Sequence, residues 1–219
     1  MSRVVGAERE PTRVEPVTLD GRFVRLEPLT MAHVTELLAA AAGRRDTYGF
    51  TLVPQDEAET RAYVEAALGE QEARRALPFA TVDRASGRTI GSTRFFNIEF
   101  WPWPSGNVNQ RGANRPDVVE IGWTWLAASA QRTPINSEAK LLMLAHAFDR
   151  WRVHRVSLMT DARNLRSREA IMRLGARFDG ILRAARPASD GTIRDTAVFS
   201  ILDSEWPAIR TRLHARLTQ

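Results

Sequence analysis

The carboxylate of Glu120 stands among Val118, Val119, Ile121 and Trp123, in a run that reads VVEIGWTWLA and ends at residue 127. Apolar surroundings disfavour the charged form of a carboxylate and raise its pKa toward neutrality, the property required of a general base. The alternative for Glu120 is a solvent-facing position or a structural ion pair. Just downstream, between Ala128 and Asn136, the strand hands over to a helix within a few residues. Such a handover leaves backbone N–H groups unpaired at the positive end of the helix dipole, where an anion is favoured. Thr133 is placed to cap the helix and Pro134 to occupy its first position. Gln131 and Arg132, just upstream, can add side-chain donors to a phosphate. Every helix start has free amides, so this one gains meaning only from its context, a second strand and a second capped helix further along the chain.

Those groups need a scaffold, and the sequence supplies one with little filler. Alternation over residues 17–29 predicts a strand, and Thr30 caps a helix through MAHVTELLAAAA. A second helical period covers 56–71. Strands at 77–82 and 88–96 are joined by a turn at 84–87, and a Pro-, Gly- and Asn-rich loop fills 101–116. After the strand at 118–127 comes a helix with Leu141, Leu144, Ala145 and Phe148 on one face. Residues 154–161 form the next strand. Asn164 caps a helix through Leu174, which Gly175 can end in the left-handed conformation. Strands at 176–183 and 194–202 meet across Ser189, Asp190 and Gly191, where Asp-Gly signals a hairpin. A helix over 203–217 closes the chain. Residues 1–16, charged and without periodicity, read as a flexible arm, leaving 17–219 as one domain.

Composition narrows the chemistry. An apolar share of 43% is ample for a buried core, and no run approaches a membrane span or a secretory signal, so the reading is a cytoplasmic protein with no membrane partner. With no cysteine, disulfides, zinc thiolates and thiol nucleophiles are excluded. The four histidines, His33, His146, His154 and His214, are scattered, which speaks against a metal site. Residues 150–194 hold eleven arginines against four acids, a local positive field suited either to solvation or to phosphate recognition. Aromatic residues are not interleaved with these arginines, so nucleic acid is not the expected partner.

With these residues in view, the stretch 120–183 resembles the core of the GNAT superfamily of acyl-CoA-dependent N-acyltransferases, and within it the RimJ/RimL-type branch. The match extends from GRFVRLEPLT at 21–30 to RDTAVFSILDSEW at 194–206, and its most specific parts are EAKLLMLAHAFD and DARNLRSREAIMRLGARFDGILR. The resemblance implies an α+β fold, a GNAT-type mixed, mostly antiparallel central sheet flanked by helices, with a V-shaped splay between strand 4, around 120–127, and strand 5, around 155–161. Acetyl-CoA would lie in that splay. Its pantetheine arm would bond to backbone near Trp125, Leu126 and Ala127, and its pyrophosphate would sit on the amides of Gln131, Arg132, Thr133, Ile135, Asn136 and Ser137. Asn164 and Ser167 would face the thioester, with Ser167 as proton donor and Glu120 as base. The alternative for Ser167 is a first-turn serine bonded to backbone. One departure stands out. The family's phosphate loop reads Q/R-x-x-G-x-G/A, and this chain puts Pro134 and Asn136 where glycines are expected; Pro134 donates no N–H, though at a first helical position that amide has no partner inside the helix.

The implied reaction is acetyl transfer to a primary amine by direct attack, the acceptor being a protein N-terminus or a small amine. Trp101, Trp103 and Arg115 in the long loop are the candidate acceptor-binding residues, the alternative being a hydrophobic lid over the domain's own core. The arginines of that loop, Arg111 and Arg115, slightly favour an acceptor carrying an anionic group, such as a carboxylate. A homodimer is compatible with the sequence. A second reading, from a different class, is a catalytically silent CoA-binding or protein-interaction module with the same fold.

Overall fold

The computed structural model describes residues 14–112 and 114–218. Most of the arm read at 1–16 therefore lies outside the described residues; Val14, near its end, packs against the core. Among the described residues, eight strands form one sheet in the order β1-β2-β3-β4-β5-β6-β8-β7. They are β1 (Leu19–Asp20), β2 (Val24–Pro28), β3 (Ala76–Asp83), β4 (Thr89–Glu99), β5 (Val118–Leu126), β6 (Arg155–Asp161), β7 (Arg177–Pro187) and β8 (Ile193–Leu202). Five α-helices among the described residues flank it: α1 (Val34–Ala41), α2 (Glu57–Glu72), α3 (Pro134–Ala145), α4 (Leu165–Leu174) and α5 (Trp206–Leu217). The expected single strand at 17–29 is two, because the chain turns back at Gly21 and pairs Leu19 with Leu26. The strands numbered fourth and fifth from the sequence are therefore β5 and β6.

Every neighbouring pair is antiparallel except β5 and β6. That parallel pairing is short, joining Val118 to Arg155, Val119 to Val156 and Glu120 to Ser157. Beyond Glu120, β5 continues on β4 while β6 continues on β8, through Asp161 opposite Thr196. The sheet thus opens as a V whose apex is Glu120 and Ser157, the splay implied between the two central strands.

Alternation along the strands sends successive side chains to opposite faces, and each face has its own core. Phe79, Phe95 and Ile121 point to one side, where Met143 and Leu144 of α3 and Leu213 of α5 bury against them. On the other side Ala80 and Trp125 meet Leu37 of α1 and Val64 and Ala67 of α2. Asp56 caps α2 by accepting the Glu59 N–H at 2.8 Å. Past Ala145 the α3 hydrogen-bond ladder widens into a π-helical turn, His146–Trp151, that still buries Phe148 and Trp151.

The start of α3 is fixed by one carboxylate. Glu138 accepts three backbone N–H groups from the β1–β2 turn, from Arg22 at 2.8 Å, Phe23 at 2.6 Å and Val24 at 2.8 Å. Glu138→Ala strands these donors, and we expect a loss of about 2–4 kcal/mol in urea unfolding, with Glu138→Gln recovering part of it. A urea midpoint unchanged in Glu138→Ala would show that water replaces the carboxylate at no cost.

Candidate active site

Glu120 is 4% exposed at the apex of the V. Burial pushes its pKa up, partly opposed by the hydrogen bond from Asn97 and by the charges of Arg186 and Arg194. Asn97 Nδ2 donates to Glu120 Oε2 at 2.8 Å. Asn97 sits in a bulged stretch of β4 with φ of 47°, a conformation that Asn tolerates better than most residues. Its signal in the sequence is weak, an Asn inside an otherwise β-prone run. Neither of the alternatives for Glu120 holds, since it is buried and no ion pair engages it among the described residues.

Two residues past Glu120, β5 makes a bulge. Arg94 faces Gly122 and Ser92 faces Trp125, so Trp123 and Thr124 together oppose Thr93. Trp123 takes φ of 52° to make this turn. Gly122 packs close to the Phe96 ring, and a Cβ there would fall 2.8 Å from it, so the ring would have to shift. Beneath the bulge lies Lys140 of α3, 6% exposed, with Nζ donating to Thr124 Oγ1 at 2.6 Å and Thr93 Oγ1 at 3.1 Å. Loss of water lowers its pKa to about 7. It is the only lysine in a chain of 31 basic residues. Arginine cannot shed its proton in a protein, whereas a lysine can be buried here and become neutral.

At the other end of β5 the chain enters α3. Thr133 caps it, its Oγ1 accepting the Ile135 N–H at 3.3 Å, with Pro134 in the first turn. Arg132 is exposed with φ of 62°, so an arginine makes the left-handed turn that glycine would make elsewhere. Gln131 is committed inward: its N–H goes to Ala128 and its side-chain amide to Thr47 and the Leu126 carbonyl. Tyr48 donates to that same carbonyl. The N–H groups of Arg132, Thr133 and Asn136 have no partner outside helix geometry, and the buried Asn136 Oδ1 has none at all among the described residues. A 420 Å³ cavity flanks this helix start, lined by Arg22, Phe23, Asp83, Arg84, Ala85, Thr133, Pro134 and Ile135. It lies toward the β1–β2 and β3–β4 turns, not inside the V. An anionic group fits the helix start through fewer amides than a glycine-rich loop would give.

Across the V, Asn164 Oδ1 accepts the Ser167 N–H at 3.0 Å and caps α4. Ser167 is half-buried, and its hydroxyl makes no hydrogen bond among the described residues, contrary to the alternative of a backbone-bonded serine. Gly175 ends α4 with φ of 108°.

The loop carrying Trp101, Trp103 and Arg115 is fastened at the closed end of the sheet. The Trp101 N–H and the Trp103 Nε1–H both donate to Asp117, each at 2.7 Å, and the Trp101 ring stacks on His154. Arg111 pairs with Asp203. No bond or ring contact of Trp101 or Trp103 reaches Glu120. His146, packed between Phe95 and Trp151, has its pKa lowered by burial to about 4. No group of three or more His, Asp or Glu side chains could hold a metal, and no helix is long and apolar enough to cross a membrane, among the described residues.

Known proteins share this fold. The family model described as an acetyltransferase (GNAT) domain matches residues 24–177. The crystal structure of a GCN5-related N-acetyltransferase from Brucella melitensis aligns with 34% identity and a TM-score of 0.78, covering 93% of this chain and 86% of that one. Mycobacterium smegmatis RimJ in complex with CoA-disulfide aligns at 21% identity and TM-score 0.74, over 92% and 95% of the two chains, a likeness of fold. The microcin C7 self immunity acetyltransferase MccE, in complex with acetyl-CoA and AMP, shares the fold at 16% identity and TM-score 0.66, over 83% and 93%. No curated protein matches the chain.

The buried lysine makes stability depend on pH in an unusual direction. Its pKa is about 7 folded against an ordinary value of 10.5, so between these values the unfolded chain binds the extra proton and stability rises with pH. We expect ΔG of unfolding to increase from pH 7 to pH 10 by on the order of 4 kcal/mol, and Lys140→Met to remove most of that slope. A flat profile in the wild-type protein would mean that Lys140 stays charged, held by the two threonines.

Proposed function

The chain belongs to the GNAT acetyltransferase family, and on that basis we propose that it moves an acetyl group from acetyl-CoA to a primary amine by direct attack in a ternary complex. Acetyl-CoA is the acyl donor of this family and supplies the activated thioester. The observation that carries the reading is Glu120, buried at the apex where β5 and β6 part and held by Asn97 through one oxygen only. Its free Oε1 is available to take a proton from an incoming ammonium, directly or through one water. An elevated pKa matches it to that work near neutral pH.

The other parts follow from position. The unpaired N–H groups of Arg132, Thr133 and Asn136, with the positive end of α3, would hold the pyrophosphate, and the exposed Arg132 guanidinium would add a charge-assisted donor. Backbone of Trp125, Leu126 and Ala127 would align the pantetheine arm along β5 through the groups left open there, since the Leu126 carbonyl is taken by Tyr48 and Gln131 and the Ala127 N–H by the Ile90 carbonyl. Ile135 N–H and Gln131 are engaged by the protein itself, so their contribution is to shape the loop. The Ser167 hydroxyl, in the first turn of α4 and without a partner among the described residues, is the proton source for the leaving thiolate. A backbone N–H at the Trp123 bulge, turned out of the β4 ladder, would polarise the reacting carbonyl. We place the catalytic domain at residues 17–219 and the protein in the cytoplasm.

Calorimetry with acetyl-CoA, followed by thiol release on adding amines, tests this directly. Glu120→Gln is expected to lower turnover by about 10²-fold or more, and to remove the acidic limb of the pH–rate profile above the ordinary carboxylate range. Acetyl-CoA affinity should be retained in this variant and weakened in Arg132→Ala. Equal loss of affinity and turnover in Glu120→Gln would sink the base assignment, and acetyl-CoA binding without thiol release to any amine would make the chain a silent module.

A further inference from the structure

Arg94, on β4, is 5% exposed and pairs with no carboxylate among the described residues. Its side chain makes no hydrogen bond to them, and its Nε is fully buried without a partner. The guanidinium is held between two rings, its Cζ 4.6 Å from the Trp123 centroid and 5.2 Å from that of Tyr63. Glu70, whose carboxylate feels the Arg94 charge, is itself taken by Arg75 in two bonds of 2.8 Å. Burial of a charge is expensive unless it is paired, and stacking on two rings offsets only part of that cost.

The neighbours share the condition. Tyr63 Oη and Trp125 Nε1 are also buried with no partner, and these two rings pack edge to face at 6.5 Å. Among the described residues, three of the six buried polar side-chain atoms left unsatisfied thus belong to one contiguous cluster, and all three can donate a hydrogen bond. A group of unpaired donors around an unpaired cation is complementary to an anion.

Its position ties it to the reaction. In the β4–β5 register Arg94 faces Gly122 and Phe96 faces Glu120. Arg94 and Glu120 therefore lie on the same face of the sheet as diagonal neighbours, with Cα atoms about 7–8 Å apart. That face carries α1 and α2, the side away from α3. Arg186 and Arg194 also act on Glu120, so the surroundings of the base are cationic and disfavour an acceptor that brings positive charge alone.

We propose that Arg94, with Tyr63 and Trp125, is the receptor for a carboxylate on the acceptor, and that the acceptor is a compact amine carrying its own carboxylate, a free amino acid. This rests on the acetyl-transfer reading and narrows it: the amine faces Glu120 while the carboxylate meets the guanidinium. Cationic polyamines and extended peptide N-termini lack an anion at that short separation.

The test is thiol release from acetyl-CoA with matched acceptors: the standard free amino acids, their carboxamides, their decarboxylated amines and short peptides. For the best amino acid, kcat/KM should exceed that of its carboxamide by at least tenfold, with the difference mainly in KM. In Arg94→Gln this ratio should fall toward one, and Arg94→Lys should restore part of it, while calorimetry shows acetyl-CoA affinity retained in both. Carboxamides or peptides used as well as amino acids by the wild-type protein overturn the carboxylate receptor and leave acetyl transfer standing, whether or not the variants fold. A ratio unchanged in a folded Arg94→Gln overturns the role of Arg94. No thiol release with any acceptor overturns both readings.

Discussion

The site depends on where two parallel strands stop pairing. Three residues of β5 are joined to β6, and after Glu120 the strands go to different partners. A central sheet seldom leaves backbone unpaired, because each buried N–H or C=O without a partner costs free energy. Here the exposed inner edge of β5 is answered from elsewhere: the Leu126 carbonyl takes the Tyr48 hydroxyl and the Gln131 amide. Everything that reads as chemistry surrounds this opening. Glu120, the proposed base, is at its apex, the bulge is on its β5 arm, and two capped helices start at its mouth.

Helix α3 is held in register with that opening by ionisable groups on opposite sides of the helix start and middle. Glu138 fastens it to the β1–β2 turn through three N–H donors, and Lys140 reaches the bulge through two threonine hydroxyls. The difference between them is physical. A carboxylate surrounded by backbone donors has its charge solvated by the protein, whereas an ammonium against two hydroxyls is poorly solvated, and burial lowers the pKa of Lys140 to about 7. In a chain that uses arginine almost everywhere, the single lysine occupies the place where a permanent charge would be hardest to keep.

Much of this is legible in the sequence because local signals agree with the global fold. Asp56, Thr133 and Asn164 each cap the helix that begins beside them, and Gly175 ends α4 in the left-handed conformation. Glu120 is legible because a lone acid in an apolar strand has few structural explanations. The illegible features depend on register and on bulges, which periodicity does not encode. Asn97 reaches Glu120 only because β4 bulges there, and the inward use of Gln131 arises from the fold of the loop. The turn at Gly21 that splits the first strand is stabilised by Glu138, which lies 116 residues from the Arg22 N–H it accepts, so no local pattern could reveal it. Composition alone makes the long aromatic loop a candidate flap, yet Asp117 at its own end supplies the acceptors that hold its tryptophans at the closed end of the sheet.

The electrostatics of the apex connect the base to the acceptor. Desolvation raises the pKa of Glu120, and Arg186 and Arg194 lower it. The net direction is upward, the direction that the proposed role as a general base calls for. The same arginines repel an ammonium, which is the form in which most amines arrive at neutral pH. An acceptor whose own carboxylate is taken up by Arg94 enters without net charge, and the cationic surroundings then favour loss of its ammonium proton to Glu120. On the proposed reading, the arrangement that tunes Glu120 would thus also select among amines.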